Sequence, residues 1–581
     1  MKQLMLGNEA VARGLYEAGV KVVSSYPGTP STEITEAAAA YDEMYCEWAP
    51  NEKVATEVAC GAMIAGSRSF TGMKHVGLNV AADPLYTASY TGVNAGMMLA
   101  VADDPGMHSS QNEQDSRRHA IGAKIPMLEP ADSDECLRFT KLAYELSEEF
   151  DTPFILRLTT RIAHSRSLVE TSERVEPAQK DFPKDPQKYV MMPAMAIKRH
   201  VVVEDRMRRL AQWAETAPIN REEIHDGAKI GVICAGDCYQ YAKEALGDTA
   251  NYLKLGMVNP LPVELLRSFA GKCEKVYVIE ELDDVIETHC RAIGLTVTGK
   301  ELFGYLGEFS QRTVQEKILG QVPASMSLDA DIPGRPPVLC AGCPHRGLFY
   351  TLKKLKCNVS GDIGCYTLGA LAPLSSIDTC ICMGASVSAL HGMNKARGEE
   401  FAAKSVAVIG DSTFIHSGIT GIIDIAYNQG ISTVIVLDNS ITGMTGHQQN
   451  PTTGYTIKGD PTSAVDLTAL AKACGIKRVR VVDPYNLAET EQAVKEELAV
   501  KEPSLIISRR PCALLKYVKH KPPLRVDADK CTGCKACMRI GCPAISIREG
   551  KSVIDFTQCV GCGVCQQMCK FDAIKDGQGE A

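Results

Sequence analysis

Apolar positions along this chain follow two alternating periods. Short apolar runs, in KVVSSYP (21–27), SVAVIG (405–410) and TVIVLD (433–438), read as strands. Between such runs, apolar residues recur every three or four positions. Val11, Leu15 and Ala18 predict a helix capped by Asn8 and stopped by Gly19. NEKVATEVACGAMIAGSR (51–68) predicts a second helix whose Ala and Gly suit close packing, and YPGTPST (26–32) is a Pro/Gly turn after a strand. This alternation predicts α/β structure to about residue 190. FPKDPQKYVMMPAMAIKRH (182–200) and a charged helix near 204–216 suggest a boundary. A smaller α/β domain follows over 229–310, with strands in KIGVICAG and KVYVIEE. DIPGRPPVLCAGCPHRG (331–347) is a Pro-rich linker into a third α/β block ending near 512, and KYVKHKPPLRVDADK (516–530) tethers a tail. The weakly charged stretch 368–390, interrupted by Pro373 and Asp378, is expected to be buried core beside a site and not a membrane span.

Composition narrows the class. A chain of 581 residues with 45% apolar and 23% charged residues predicts a multidomain globular protein. A formal charge of −8 without any long Lys/Arg run argues against nucleic-acid partners. The N-terminus lacks the apolar core of a signal peptide, so a cytoplasmic location is expected. There, 23 cysteines point to metal or redox chemistry and not to a disulfide framework.

Eight of these cysteines fall within 531–569. Cys531, Cys534 and Cys537 precede Cys542-Pro543; Cys559, Cys562 and Cys565 precede Cys569. Two such triplets, each with a distal fourth cysteine, match the bacterial two-cluster ferredoxin pattern, in which the fourth cysteine serves the other cluster. One Fe4S4 cluster would take Cys531, Cys534, Cys537 and Cys569, and the other Cys559, Cys562, Cys565 and Cys542. Gly533, Gly561 and Gly563 suit the tight turns required. The first triplet has four residues before its last cysteine where the pattern has three, and Lys570 replaces the second Pro. Two structural zinc sites are the bland alternative.

The block 405–446 reads strand, Gly-Asp turn, helix, strand, Asp-Asn turn. Both turns lie at carboxyl ends of strands, where open α/β sheets bind ligands. Asp411 and Asn439 are thus expected side by side, and with the Ile441 carbonyl they suit an octahedral Mg²⁺ that also takes diphosphate oxygens.

GDS at 410–412 followed by DNSITG at 438–443 resembles the thiamine-diphosphate motif, with Ser412 in place of Gly and Asp438 in place of Asn. SYPGTPSTEI, the Glu52-to-Gly61 helix, CAGCPHRG and GDIGCYTLG each resemble segments of the 2-oxoacid:ferredoxin oxidoreductases. Domain order and the cysteine tail are most similar to the α subunits of the indolepyruvate branch. The resemblance covers essentially the whole chain.

It implies an α/β multidomain thiamine-diphosphate fold, in which pyrimidine (1–195) and diphosphate/Mg (326–515) domains each have a mostly parallel sheet with helices on both faces. A small transketolase C-terminal-like α/β domain (196–325) and a two-cluster ferredoxin-like α+β domain (521–581) complete it. It implies thiamine diphosphate held by Tyr26, Pro27, Thr29, Gly410, Asp411, Ser412, Asn439 and Ile441, with Mg²⁺ on Asp411, Asn439 and Ile441. Glu52 would be the carboxylate that activates the cofactor through its pyrimidine; Glu57 is the in-chain rival. Cys340, Cys343, Cys365 and Cys512 are candidates for a third, proximal Fe4S4 cluster, or four buried thiols. The other cysteines, Cys380 and Cys382 among them, are expected in the core.

The implied activity is oxidative decarboxylation of aryl pyruvates (indolepyruvate, phenylpyruvate, hydroxyphenylpyruvate) with coenzyme A, yielding aryl-acetyl-CoA, CO₂ and reduced ferredoxin. Another 2-oxoacid, a non-oxidative thiamine decarboxylase and a pure electron-transfer subunit are the alternatives. Implied partners are a smaller β subunit, in a heterodimer or dimer of heterodimers, and an external ferredoxin. The polar loop 103–120 offers His108, Arg117 and Arg118, with Thr29, for the substrate carboxylate or coenzyme A phosphates; a solvated surface loop is the alternative. His345 and Arg346 are further candidates for phosphate or carboxylate contacts, with ordinary surface roles as the alternative.

Overall fold

A computed structural model describes residues 1–322, 324 and 330–577. The chain divides into two compact units, 1–329 and 330–581. The expected 325/326 boundary lies outside the described residues.

The first unit is built on a seven-stranded sheet. Its order is Met257–Asn259, Met127–Leu128, Phe154–Thr159, Met97–Asp103, Ser69–Lys74, Val22–Ser25 and Tyr45–Trp48. All neighbours pair parallel except the Met257–Asn259 edge strand. Helix Glu52–Ile64 packs on Val22–Ser25 and Ser69–Lys74, so its first residue stands near the carboxyl ends of those strands. A second, four-stranded sheet runs Lys275–Ile279, Ile230–Ala235, Ala250–Leu255 and Arg221–Glu223, the last antiparallel.

Two expectations are corrected here. The first helix spans Gly7–Glu17 with Leu6 at its cap, so Asn8 lies inside it. The Asn8 amide is buried and must find acceptors: Nδ2 donates to the Pro30 carbonyl at 2.7 Å and to Glu33 Oε2 at 2.9 Å, holding the Pro/Gly turn. The boundary expected at 195/196 falls inside helix Pro193–Ala214, whose Val203, Leu210 and Ala214 are buried. Beyond it, Met257–Asn259 returns to the first sheet, and one apolar core runs from Leu99 and Ile155 to Ile233 and Leu253.

The second unit centres on six parallel strands in the order Thr379–Cys380, Asn358–Gly361, Ser405–Gly410, Thr433–Asp438, Ser504–Arg509 and Arg478–Val482. Helices Ala385–Arg397, Ile419–Tyr427 and Leu487–Leu498 lie between successive strands, as parallel pairing requires. The tail adds two short antiparallel pairs, Arg525–Val526 with Ile574–Lys575 and Ile545–Arg548 with Lys551–Ile554. The stretch 368–390 is not continuous core. Residues 371–373 and 378–382 are exposed, because Thr379–Cys380 is a short edge strand with one neighbour. Cys380 and Cys382 are exposed with it. Among the described residues no helix is long and apolar enough to cross a membrane.

Candidate cofactor sites

In the second unit, the register pairs Gly410 with Leu437, so the turns after the two central strands are neighbours. Asp411 is buried at the first turn; Asn439 and Ile441 are buried at the second. Ser412 N donates to Asp411 Oδ1 at 2.8 Å, and Thr452 Oγ1 lies 3.5 Å from Oδ2. Burial, then the nearby Asp438 charge, pushes the Asp411 carboxyl up to about 8. Asp438 itself is engaged by Arg509 Nε at 2.7 Å. A buried carboxylate beside another negative charge fits a divalent cation, and amide and carbonyl oxygens at the adjacent turn fit the same hard ion. A Cβ at Gly410 would lie 2.6 Å from the Tyr366 ring, so the approach of strand to ring requires glycine.

Asp362 is a residue that the sequence reading did not single out. It is buried at the end of strand Asn358–Gly361 and accepts from Gly384 N (2.8 Å) and Ser386 N (2.9 Å). It thereby fixes the start of helix Ala385–Arg397 near the same sheet edge. A Gly-Asp pair at a strand end, as in GDIG, was the available signal.

The cysteine sets are gathered as spaced. Cys531, Cys534, Cys537 and Cys569 line one pocket, with Ser552 and Ile574. Ser552 N donates to Cys531 Sγ at 3.4 Å and Ala573 N to Cys569 Sγ at 3.3 Å. Backbone donors from Ser552 and Gly533 lower the Cys531 thiol, as suits a thiolate ligand. Cys542, Cys559, Cys562 and Cys565 form the second set: burial raises Cys565, and the other three add to it. Leu524 N donates to Cys559 Sγ at 3.4 Å. Gly533, Gly561 and Gly563 all adopt positive φ.

Cys340, which is exposed, and Cys343, Cys365 and Cys512 lie near enough to perturb one another, although 172 positions separate the first and last. Burial pushes Cys343 up to about 12, with Cys365 and Cys340 contributing; Cys365 rises to about 11 by burial, then Cys512 and Cys340. Cys512 N donates to the Asn439 carbonyl at 2.9 Å. A Cβ at Gly443 would lie 3.4 Å from Cys365 Sγ and 3.7 Å from Asn439 Nδ2. This sulfur set therefore adjoins the Asp411/Asn439 turns directly.

Arg346 does not present its guanidinium to a ligand. It is buried and donates to the carbonyls of Cys340 (3.0 Å), Ile540 (3.2 Å), Gly541 and Leu339. His345 is buried edge-on to Tyr366, and burial holds it down at about 4. Neither is a surface residue: carbonyls surround the Arg346 guanidinium, and the Tyr366 ring flanks His345.

In the first unit, Glu52 is buried at the start of its helix, behind the Asn51 cap, whereas Glu57 is exposed and paired with Lys53. A Cβ at Gly77 would lie 2.7 Å from Glu52 Oε1, so the missing side chain makes room for that carboxylate. Burial lowers Lys74, opposed by Asp104 and Glu52. Tyr26 and Pro27 are buried and Thr29 half-buried on the adjoining turn. Asp104 orders the following loop, accepting from Ser110 Oγ (2.7 Å), Ser109 N (2.9 Å) and Thr160 Oγ1 (2.7 Å).

The loop candidates part ways. Arg117 is 1% exposed and engaged by Asp115 (2.5 Å) and Glu280 (2.6 Å), so no donor faces solvent and the expectation of a substrate contact is corrected. Arg118 is exposed, paired with Asp283 (3.0 Å) and Asp284 (2.8 Å); His108 is exposed, 3.4 Å from Glu308.

Three family models match the chain. They are "Pyruvate flavodoxin/ferredoxin oxidoreductase, thiamine diP-bdg" over 13–209, "Thiamine pyrophosphate enzyme, C-terminal TPP binding domain" over 362–508, and "4Fe-4S dicluster domain" over 523–570. The chain is 39% identical to the indolepyruvate oxidoreductase subunit IorA of Archaeoglobus fulgidus, covering 99% of this chain and 97% of that one. It is 40% identical to IorA of Pyrococcus horikoshii over the same shares. Among solved structures, a 2-oxoglutarate:ferredoxin oxidoreductase from Magnetococcus marinus aligns with TM-score 0.47 and 19% identity, over 55% of this chain and 65% of that one.

Proposed function

This chain belongs to the family of indolepyruvate oxidoreductase IorA subunits, 2-oxoacid:ferredoxin oxidoreductases, and on that premise we propose that it oxidatively decarboxylates aryl pyruvates, passing the acyl group to coenzyme A and electrons to ferredoxin. The observation that carries this reading is the hydrogen bond from Cys512 N to the Asn439 carbonyl, which joins a diphosphate-type turn to a four-cysteine set. A decarboxylase that simply protonated its product would have no use for sulfur ligands there.

Within the first unit we assign the seven-stranded sheet to pyrimidine binding and the four-stranded sheet to a small α/β domain; in the second we assign the six-stranded sheet to diphosphate binding and 521–581 to two clusters. Thiamine diphosphate, when bound, supplies a nucleophilic carbon and an electron sink for decarboxylation. Asp411, Asn439 and the Ile441 carbonyl would hold Mg²⁺ and through it the diphosphate. Glu52 would hold a proton shared with the pyrimidine N1′, and Gly77 keeps its carboxylate in place. Tyr26, Pro27 and Thr29 would border the ring. Cys340, Cys343, Cys365 and Cys512 would hold one Fe4S4 cluster and the two tail sets one each, which when bound would supply single-electron transfer. A smaller β subunit completes the enzyme, and Arg118 and His108 remain the loop's candidates for anionic groups.

The test reconstitutes the chain with its smaller subunit and compares indolepyruvate, phenylpyruvate, pyruvate and 2-oxoglutarate. CO₂ release from the aryl substrates should require both coenzyme A and an electron acceptor. Equal release without either would make it a non-oxidative decarboxylase, and no release with any 2-oxoacid an electron-transfer subunit. Iron content should be about twelve per chain, falling to about eight in Cys343→Ser; about eight in the wild type would remove the third cluster. Glu52→Gln should keep the cofactor and lose turnover by roughly 10²-fold or more.

A further inference from the structure

Away from these sites, the first unit buries unequal charge near the carboxyl ends of its parallel strands. Asp103, Asp115, Glu129, Asp237, Glu280 and Glu281 are buried there, against only Arg117, Arg157 and Lys300. Those cations are engaged by other groups, although Arg157 Nη2 keeps no hydrogen-bond partner and its charge also reaches Asp237 and Glu281. Arg117 serves Asp115 and Glu280; Arg157 lies 2.7 Å from both Asp103 and Glu129; Lys300 Nζ donates to the Glu280 carbonyl at 2.7 Å. Among the described residues neither Asp237 nor Glu281 forms an ion pair.

Asp237 and Cys238 open helix Gly236–Leu246, directly after strand Ile230–Ala235; Glu281 follows the adjacent parallel strand Lys275–Ile279. This is again the crevice where parallel sheets receive ligands. One carboxylate oxygen of Asp237, one of Glu281 and Cys238 Sγ all lie within 4.8 Å of one another. Neighbours hold the two carboxylates in place: Thr159 Oγ1 donates to Asp237 Oδ2 and Phe309 N to Glu281 Oε1, each at 2.6 Å. The remaining oxygen, Glu281 Oε2, is buried without a hydrogen-bond partner although the residue is only 4% exposed. Such an acceptor calls for a proton or a cation.

We propose that Asp237, Cys238 and Glu281 hold one divalent cation of the zinc class. Two carboxylates and one thiolate suit a borderline-soft ion better than Mg²⁺ or Ca²⁺, which prefer oxygen alone. The ion offsets buried carboxylate charge that Arg157 balances only in part and without an ion pair, and the Cys238 proton leaves to solvent as it binds. Three protein ligands leave the fourth tetrahedral position to water. The cation ties the ends of two adjacent strands to Thr159 and to the Phe309 segment. The competing state is a metal-free cluster that keeps its protons.

The test uses the full chain with its smaller subunit, purified anaerobically, incubated with Zn²⁺ and desalted. The expected result is about one zinc per chain, with an X-ray absorption shell of one sulfur at about 2.3 Å and otherwise oxygen. Cys238→Ser and Glu281→Gln should each lose most of that zinc while iron content stays unchanged. A wild type without stoichiometric zinc overturns the proposal, whatever the variants do. So does zinc in an all-sulfur shell, which would be occupying cluster cysteines, or zinc that both variants retain.

Discussion

Glu52 and Gly77 show how much a single position decides. A methyl group at 77 would sit 2.7 Å from Glu52 Oε1, so Gly77→Ala must shift the carboxylate or the helix His75–Val80. We expect turnover to fall roughly 10- to 100-fold with thiamine diphosphate content unchanged, because sub-ångström misplacement harms chemistry more than binding. Cofactor content measured beside turnover checks this. His75 offers a pH prediction at the same scale. Burial, then Lys74, lowers it to about 4, and Nε2 donates to the Asn112 carbonyl at 3.2 Å. Between about 4 and its ordinary 6.5 the unfolded chain binds a proton that the folded chain does not. Stability from this group is therefore fully present above pH 6.5 and lost as pH falls toward 4, on the order of 3 kcal/mol. His75→Gln should flatten that acid limb in thermal unfolding; an unchanged slope would remove His75 as its source.

At the scale of elements, two parallel strands and the turns that end them create the most perturbed carboxylate of the diphosphate-type site. Asp411 is costly where it stands, since burial and Asp438 both oppose its charge. Asp411→Asn should therefore weaken thiamine diphosphate and Mg²⁺ binding by at least about 10²-fold. The cofactor-free variant should unfold at a temperature no lower than the cofactor-free wild type, the usual exchange of stability for function. Fluorescence titration and paired melts would measure both; a variant that binds normally would move the metal ligand elsewhere. The CxxC turn is equally constrained. Gly342 has φ +65°, and a Cβ there would meet Val560 Cγ2 at 2.1 Å. This is where the tail seats against the cysteines of the diphosphate block.

At the scale of the whole chain, Arg346 is the strut between sulfur sets of the second unit. Its guanidinium reaches carbonyls on both Cys340 and the Ile540–Gly541 turn, facing Cys542, Cys343, Cys340 and Cys562. Arg346→Lys keeps the charge but cannot span these acceptors. Iron content should hold, while proteolysis of the 516–530 tether accelerates roughly ten-fold. Equal cleavage rates would show that the tail is held by other contacts, such as Gln567 Nε2 to the Tyr485 carbonyl at 2.7 Å.

Some of this was fixed by sequence alone. Cysteine spacing marked the tail sets because metal ligation within one short segment is a local constraint. The Gly-Asp and Asp-Asn turns were legible for a similar reason: strand, turn and helix periods bracket them. Other features depended on tertiary contacts between distant segments. Asn8 left its expected cap because Pro30 and Glu33 supply acceptors 22 and 25 residues away. Arg117 left the substrate list because Glu280 meets it from 163 residues away. Residues 378–382 left the core because their strand has one neighbour instead of two. The cluster of Asp237, Cys238 and Glu281 had no signature at all, since it exists only where adjacent parallel strands end together. Local spacing encodes what one segment can bind; burial and charge balance, which decide what a side chain is free to do, arise only when separate segments pack.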